Sequence, residues 1–163
     1  MLDTLRTLVT SDKAQSLIEF ALFFPFIGFF LFATVDFGIA LDRKVIFTNA
    51  AREGARYASL GTTTDADAIA QVVVDQSQGA FDTTDVNVYW VDKNGDGKVT
   101  AGEPVVVQIE YTYDLPIIDG FPLLGGSVPS IDLGACTDMA LVQDPILPSG
   151  SVSAPGEVPC GGT

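Results

Sequence analysis

The chain has 163 residues, 47% of them hydrophobic, with a mean hydropathy of +0.34 and a formal net charge of −13. That length makes one modest domain and speaks against a multidomain enzyme. The acidic excess speaks against a nucleic-acid partner, because phosphate binding needs a basic face. There is no histidine, which removes the commonest general base and zinc ligand, and the two cysteines, Cys136 and Cys160, suffice for one disulfide but not for a tetrahedral zinc site. No nucleophile–base pair or phosphate-binding loop is visible, so the expectation is a non-enzyme.

The charge is unevenly spread. Residues 1–56 hold six basic residues (Arg6, Lys13, Arg43, Lys44, Arg52, Arg56) and six acidic ones, whereas from Tyr57 onward fifteen acids face only Lys93 and Lys98. An apolar anchor followed by an acidic soluble module accounts for that asymmetry.

The anchor is the run LIEFALFFPFIGFFLFATV, Leu17 to Val35. Its uncharged stretch, Phe20–Val35, makes about 24 Å of helix, slightly short of a bilayer; extending it over 17–40 gives the needed length and places Glu19 and Asp36 near the two ends. A secretory signal peptide fits worse, because the segment 1–13 carries no net charge and the helical pattern continues past the apolar run. Glu19 has two readings: an interfacial acid that snorkels, or, if the chain is cut between Ala14 and Gln15, a fifth residue paired with an N-terminal ammonium in a low-dielectric assembly. Pro25 removes one helical hydrogen bond, either as a tolerated kink in an isolated membrane helix or as a bend used in packing.

From Phe37 to Leu60 the pattern becomes amphipathic, with Val45, Ile46, Ala50, Gly54 and Tyr57 as candidates for the buried stripe. Arg52 and Arg56 share a face, Glu53 pairs with Arg56 at i,i+3, and Gly61 ends the helix. That face either contacts another subunit or is a solvated surface above the chain's own sheet.

The acidic module reads as a short helix over 63–78 capped by Thr64 or Asp65, then strands over 85–91, 104–113 and 131–142. The fold class is α+β, a long N-terminal helix laid on a small antiparallel sheet. Between the first two strands, DKNGDGKVTAGE fits the twelve-residue calcium-loop pattern at every specified position. Asp92, Asn94 and Asp96 offer side-chain oxygens, Gly97 the sharp turn, Lys98 its carbonyl, Thr100 the ninth position and Glu103 a bidentate carboxylate. Calcium is the expected cofactor, in the weak extracellular range; the competing reading is a hairpin turn that needs no metal. Residues 115–130 are apolar but too broken by proline and glycine to span a membrane, and the tail from Asp144 reads as irregular. A Cys136–Cys160 bridge, expected outside the cytoplasm, would tie that tail to the last strand.

The stretch AQSLIEFALFFPFIGFF, followed by VDFGIAL and NAAREGARYASL, resembles the TadE-like family of tight-adherence pilus proteins, a branch of the type IV filament superfamily. The resemblance implies a type IV pilin-like fold and a leader, residues 1–14, removed by a prepilin peptidase between Ala14 and Gln15. It places the family's acid at mature position five on Glu19, its apolar-run proline on Pro25, and the Asn-Ala-Ala-Arg-Glu-Gly-Ala-Arg-Tyr block on 49–57. Alanine at position 14 departs from the family's usual glycine. The implied organisation is a helix over 15–60 with a transmembrane half at 17–40, a globular module over 61–143 and a tail over 144–163. The implied partners are copies of itself or other pilins, the peptidase, an inner-membrane assembly platform and, before assembly, membrane lipid. The alternative is a permanently anchored envelope protein with an external calcium-binding module.

Overall fold

In the computed structural model the chain forms a long helix and a small antiparallel sheet, an α+β arrangement. The structure describes residues 12–61, 63–115, 130–146, 152–153 and 160, with 12–14 and 152–153 described by backbone alone. Residues 1–11 of the leader, most of the apolar segment 115–130 and much of the tail lie outside the described residues.

Helix α1 runs over Asp12–Ser59 without interruption, through Ala14, Gln15 and Pro25. Gly61 closes it at φ +65°, its N–H donating to the Ala58 carbonyl over 3.0 Å. Helix α2 spans Ala66–Gln76, where Asp65 is the N-cap, its carboxylate accepting from the Asp67 N–H at 3.1 Å. A single 3₁₀ turn at Thr83–Asp85 leads into β1, Val86–Val91; β2 is Pro104–Asp114, β3 Ser130–Ala140 and β4 Val152–Ser153. The sheet order is β3-β2-β1-β4. Strands β1 and β2 are antiparallel with Val86 opposite Ile109, Val88 opposite Val107 and Trp90 opposite Val105. The tail is therefore not wholly irregular: β4 pairs in parallel with β1, Val152 opposite Trp90. Two adjacent β-branched or small residues at a free strand edge are enough to form that ladder, but too few to show an alternating pattern in the sequence.

The chain divides into two compact units, Met1–Ile39 with Asp114–Pro129, and Ala40–Tyr113 with Ser130–Thr163. The second unit begins at Ala40, and the second half of α1 contributes to its core.

In the first unit, α1 carries its large apolar side chains outward: Leu17 is 69% exposed and Phe30 71%. The helix is long and apolar enough to cross a membrane, and nothing is buried in its most apolar stretch, of mean hydropathy 2.1. Asp36 is the exception, fully buried within an otherwise exposed apolar segment.

In the second unit one face of α1 packs on the sheet. Phe47, Ala50, Ala51, Ala55 and Ala58 are buried against Val105, Val107 and Ile109 of β2, Val86 and Trp90 of β1, and Ile69 and Val73 of α2. Phe47 anchors this layer, its ring edge-on to Phe81 at 5.0 Å and to Tyr111 at 5.5 Å. Val45, expected in the buried stripe, is 59% exposed, and Phe47 takes its place. The stripe is set by the alanines, which let the helix settle close to the sheet and rotate Phe47 inward. Gly54 marks the closest approach: a β-carbon there would lie 2.2 Å from Cγ2 of Val73 and 3.6 Å from Val107. Because Val73 is fully buried and β-branched, its side chain is restricted and gives way only by disturbing the packing around it. Gly54→Ala therefore destabilises the protein by about 1–3 kcal/mol despite alanine's better helix propensity. In detergent-solubilised full chain, Val73→Ala in the same molecule recovers part of that loss, a coupling that thermal or denaturant melts of the single and double variants measure.

Candidate functional site

Two regions hold the residues that the sequence marks. The first is the N-terminal half of α1. Glu19 is exposed, and its carboxylate accepts a hydrogen bond from the Gln15 side-chain amide one turn earlier, at 3.2 Å. Gln15 and Glu19 therefore share one helix face, as a four-residue spacing requires. Pro25 is half-buried in a helix that continues through it. Further along, Thr34 donates its hydroxyl to the Phe30 carbonyl at 2.7 Å, so this hydroxyl sits in the apolar run without a free donor.

The second region is the connection from β1 to β2, residues 92–103. Its backbone is bent by glycines in left-handed conformations, Gly95 at φ +77°, Gly97 at +82° and Gly102 at +94°. At Gly97 that conformation turns the chain so that its N–H meets Asp92 Oδ2 at 2.7 Å, while Gly95 N–H meets Oδ1 at 2.6 Å. Asn94 and Asp96 each accept from the backbone N–H two residues on, at 2.9 and 2.8 Å. Asp92, 2% exposed, sits under the loop it folds.

Glu103 closes the loop. Its Oε1 accepts the N–H groups of Lys93 at 2.9 Å and Asn94 at 3.2 Å, at the far end, and its Oε2 accepts the N–H of Thr100 at 2.8 Å and that residue's hydroxyl at 3.3 Å. A single carboxylate thus ties both ends of a twelve-residue segment together. The loop is then fastened to the chain after β3: Leu141 N–H donates to the Glu103 carbonyl at 2.9 Å, Gly102 N–H to the Leu141 carbonyl at 2.9 Å, and Ala101 N–H to Asp144 Oδ1 at 2.7 Å.

The donor chemistry of this loop suits a hard cation, but the arrangement only half does. Asp92, Asn94 and Asp96 each retain lone pairs, whereas both oxygens of Glu103 are engaged twice over. Among the described residues no three histidine, cysteine, aspartate or glutamate side chains converge as a metal-holding group. Lys98 is exposed and Thr100 is spent on Glu103. Cys136 and Cys160 form a disulfide with 5.5 Å between their α-carbons, joining the tail to the exposed face of β3.

The backbone N–H of Thr100, then those of Asn94 and Lys93 and the Thr100 hydroxyl, hold the Glu103 carboxyl below its ordinary value against the opposing effect of burial. A pKa depressed on folding gives stability that is complete above the unfolded value and is lost as pH falls through the folded one. Melts of the full chain between pH 7 and pH 3 therefore show a loss of stability setting in below about pH 4, the ordinary glutamate range. Glu103→Gln removes that component and costs about 1–3 kcal/mol at neutral pH, because an amide presents N–H to N–H on one side of the loop.

No curated protein and no solved structure matches the chain. Residues 14–56, the apolar run and the module half of α1 up to Arg56, match the family model described as TadE-like protein, and the matched segment carries Gln15, Glu19 and Pro25.

Proposed function

We propose that the protein is a pilin-like structural subunit of a Tad-type extracellular filament, held in the membrane by α1 before assembly. The observation that carries this reading is the TadE-like match over 14–56 lying on an exposed apolar helix whose acid, Glu19, stands four residues beyond Gln15. Cleavage between Ala14 and Gln15 by a prepilin peptidase converts the Gln15 nitrogen into an ammonium on the same helix face as Glu19. An acid left alone in hydrocarbon costs about 2.5–3.5 kcal/mol, so a neighbour's ammonium, presented at one axial height, sets the register of stacked subunits. The module, acidic and disulfide-bonded, suits the outside of the cell. In this reading the chain has no catalytic role, and its partners are other pilus subunits and the membrane assembly platform.

Two measurements test it. Intact mass and N-terminal sequencing of the native protein are expected to show a mature chain beginning at Gln15. Glu19→Ala is expected to insert into the membrane at wild-type levels while its recovery in sheared filaments falls roughly tenfold, as loss of a buried ion pair implies. Wild-type filament yield from Glu19→Ala sinks the pairing, and an uncut chain that never leaves the membrane favours the permanently anchored alternative.

A weak calcium site in the loop 92–103 is part of the same proposal. The agreement at all five specified positions and the left-handed Gly97 support it; the engagement of Glu103 means that the ion competes with four hydrogen bonds, consistent with dissociation constants of about 10⁻⁴–10⁻³ M. The full chain is expected to melt higher in millimolar calcium than in chelator, by up to about 2.7 kcal/mol at a hundredfold excess over the dissociation constant. Asp96→Ala erases the difference without touching Glu103. A melt indifferent to calcium makes the loop a self-closed turn.

A further inference from the structure

Two buried side chains lie outside the core. Val91 of β1 and Val106 of β2 are both 0% exposed, yet neither belongs to the buried cluster beneath α1. Strand alternation gives the reason. Val105, Val107 and Ile109 of β2 point toward α1 and α2, so Val106 and Gln108 point to the other face of the sheet. Val86 and Trp90 fix the same division in β1 and put Tyr89 and Val91 on that outer face. Both helices pack on the inner face, so neither covers the two valines. Away from the valines the outer face opens: Tyr89 and Gln108 are half-buried, and Glu110, Thr112 and Asp132 are exposed.

The tail is fastened at both sides of this face. Ser153 of β4 pairs with Val91 at the β1 edge, and Cys160 is bonded to Cys136 on β3, at the opposite side of the sheet. Cys136 belongs to the outer face: it shares the phase of Asp132, whose carboxylate accepts the Thr112 hydroxyl across the strand pair at 3.0 Å. Four residues further along β3, it stands beside Gln108, with which it lines one hollow. Residues 154–159 connect the two anchors and lie outside the described residues. From β4 to β3 the path crosses about 14 Å of strand spacings and shifts about 13 Å along the strands, a diagonal of about 19 Å. The seven Cα steps from Ser153 to Cys160 reach about 23–25 Å when fully extended. That leaves too little slack to pass around the sheet by way of the helix side.

We propose that the apolar end of the outer sheet face is the docking site of residues 154–159 of the same chain, which cross it from β4 to β3 with Val158 seated on Val106. The register selects these contacts. A third of the way along, the diagonal passes over β1 between Tyr89 and Val91; two thirds of the way along, it passes over β2 at Val106. Two thirds of the steps from Ser153 fall at 157–158, and Val158 is the one large aliphatic residue of the run Ala-Pro-Gly-Glu-Val-Pro. Pro155 falls over Tyr89 and Val91. Prolines suit a segment laid across strands instead of along them, because they bring no N–H that would need a ladder partner. The disulfide then holds an apolar surface closed to water besides tethering a terminus. Val91 directly precedes Asp92, so the docked segment covers the start of the 92–103 loop, while Leu141 and Asp144 hold its last residues. None of this depends on the pilus reading.

The test uses the full chain in mild detergent. Glu157 is the one acid between Ser153 and Cys160, so a glutamate-specific protease reads the segment directly. Under native conditions the wild type is expected to be cut after Glu157 roughly tenfold more slowly than Cys136→Ser/Cys160→Ser, scored by intact mass. The second arm locates the contact. In that serine background, Val106→Cys with Val158→Cys is expected to lose both thiols on air oxidation and remain monomeric, because even transient docking traps the bond. Leu60→Cys with Val158→Cys, which moves the partner thiol to the end of α1, is expected to keep both thiols. Wild-type cleavage at the rate of the serine variant, or a 106–158 bond that forms no faster than a 60–158 bond, overturns the proposal. If melting shows that Val106→Cys does not fold, Tyr89→Cys with Pro155→Cys takes its place, with the same two outcomes deciding.

Discussion

One helix must satisfy two surroundings, and most of the structure follows from how its residues divide between them. Up to Ile39, α1 offers aromatic and aliphatic side chains in every direction, a composition that only a membrane or an assembled helix bundle can bury. From Ala40 the apolar residues contract to a single stripe, and alanine and glycine dominate it. Small residues give up side-chain area for close backbone approach, so the stabilisation on this side comes from Phe47 and the valines of the sheet that the helix can reach. The continuous backbone makes the partition a matter of side-chain distribution alone; no break or linker marks it.

The loop at 92–103 solves a different problem. Four acidic or amide side chains and three left-handed glycines in twelve residues are a costly way to connect two strands, since the charges repel and the glycines are freer in the unfolded chain. Their return is hydrogen bonding. Asp92 and Glu103, both nearly fully buried, accept N–H groups that would otherwise be orphaned beneath the loop. Glu103 performs by hydrogen bonds the task that a cation performs in a metal-bound loop, joining first and last positions, and the fastening to Leu141 and Asp144 then carries that rigidity to the chain after β3.

Much of this is legible in the residues themselves, for physical reasons that differ from element to element. The apolar run, the Asp65 cap, the Glu53–Arg56 pair and the strands around Trp90 and Val107 are written in local periodicity and spacing, and they stand where those signals put them. What failed was rotational phase: Val45 and Phe47 are both apolar, and only the position of the sheet decides which faces in. The inclusion of 40–59 in the module, the two-residue β4 and the engagement of Glu103 by backbone N–H groups are likewise tertiary facts. A twelve-residue pattern specifies which atoms are available to a cation, not whether the loop's own amides have taken them first.

The distribution of charge connects these levels. In sequence it is only an imbalance, six bases against six acids before Tyr57 and two against fifteen afterwards. Folding converts it into geometry, because the helix holding Arg52 lies on one side of the sheet while Glu110 and Asp132 lie on the other. An isolated module gains nothing from that separation: exposed charges on opposite faces do not attract each other usefully through the protein, and the acids repel across the strand pair. Solvent screening, and not an ion pair among the described residues, is what makes those exposed acids tolerable in the module.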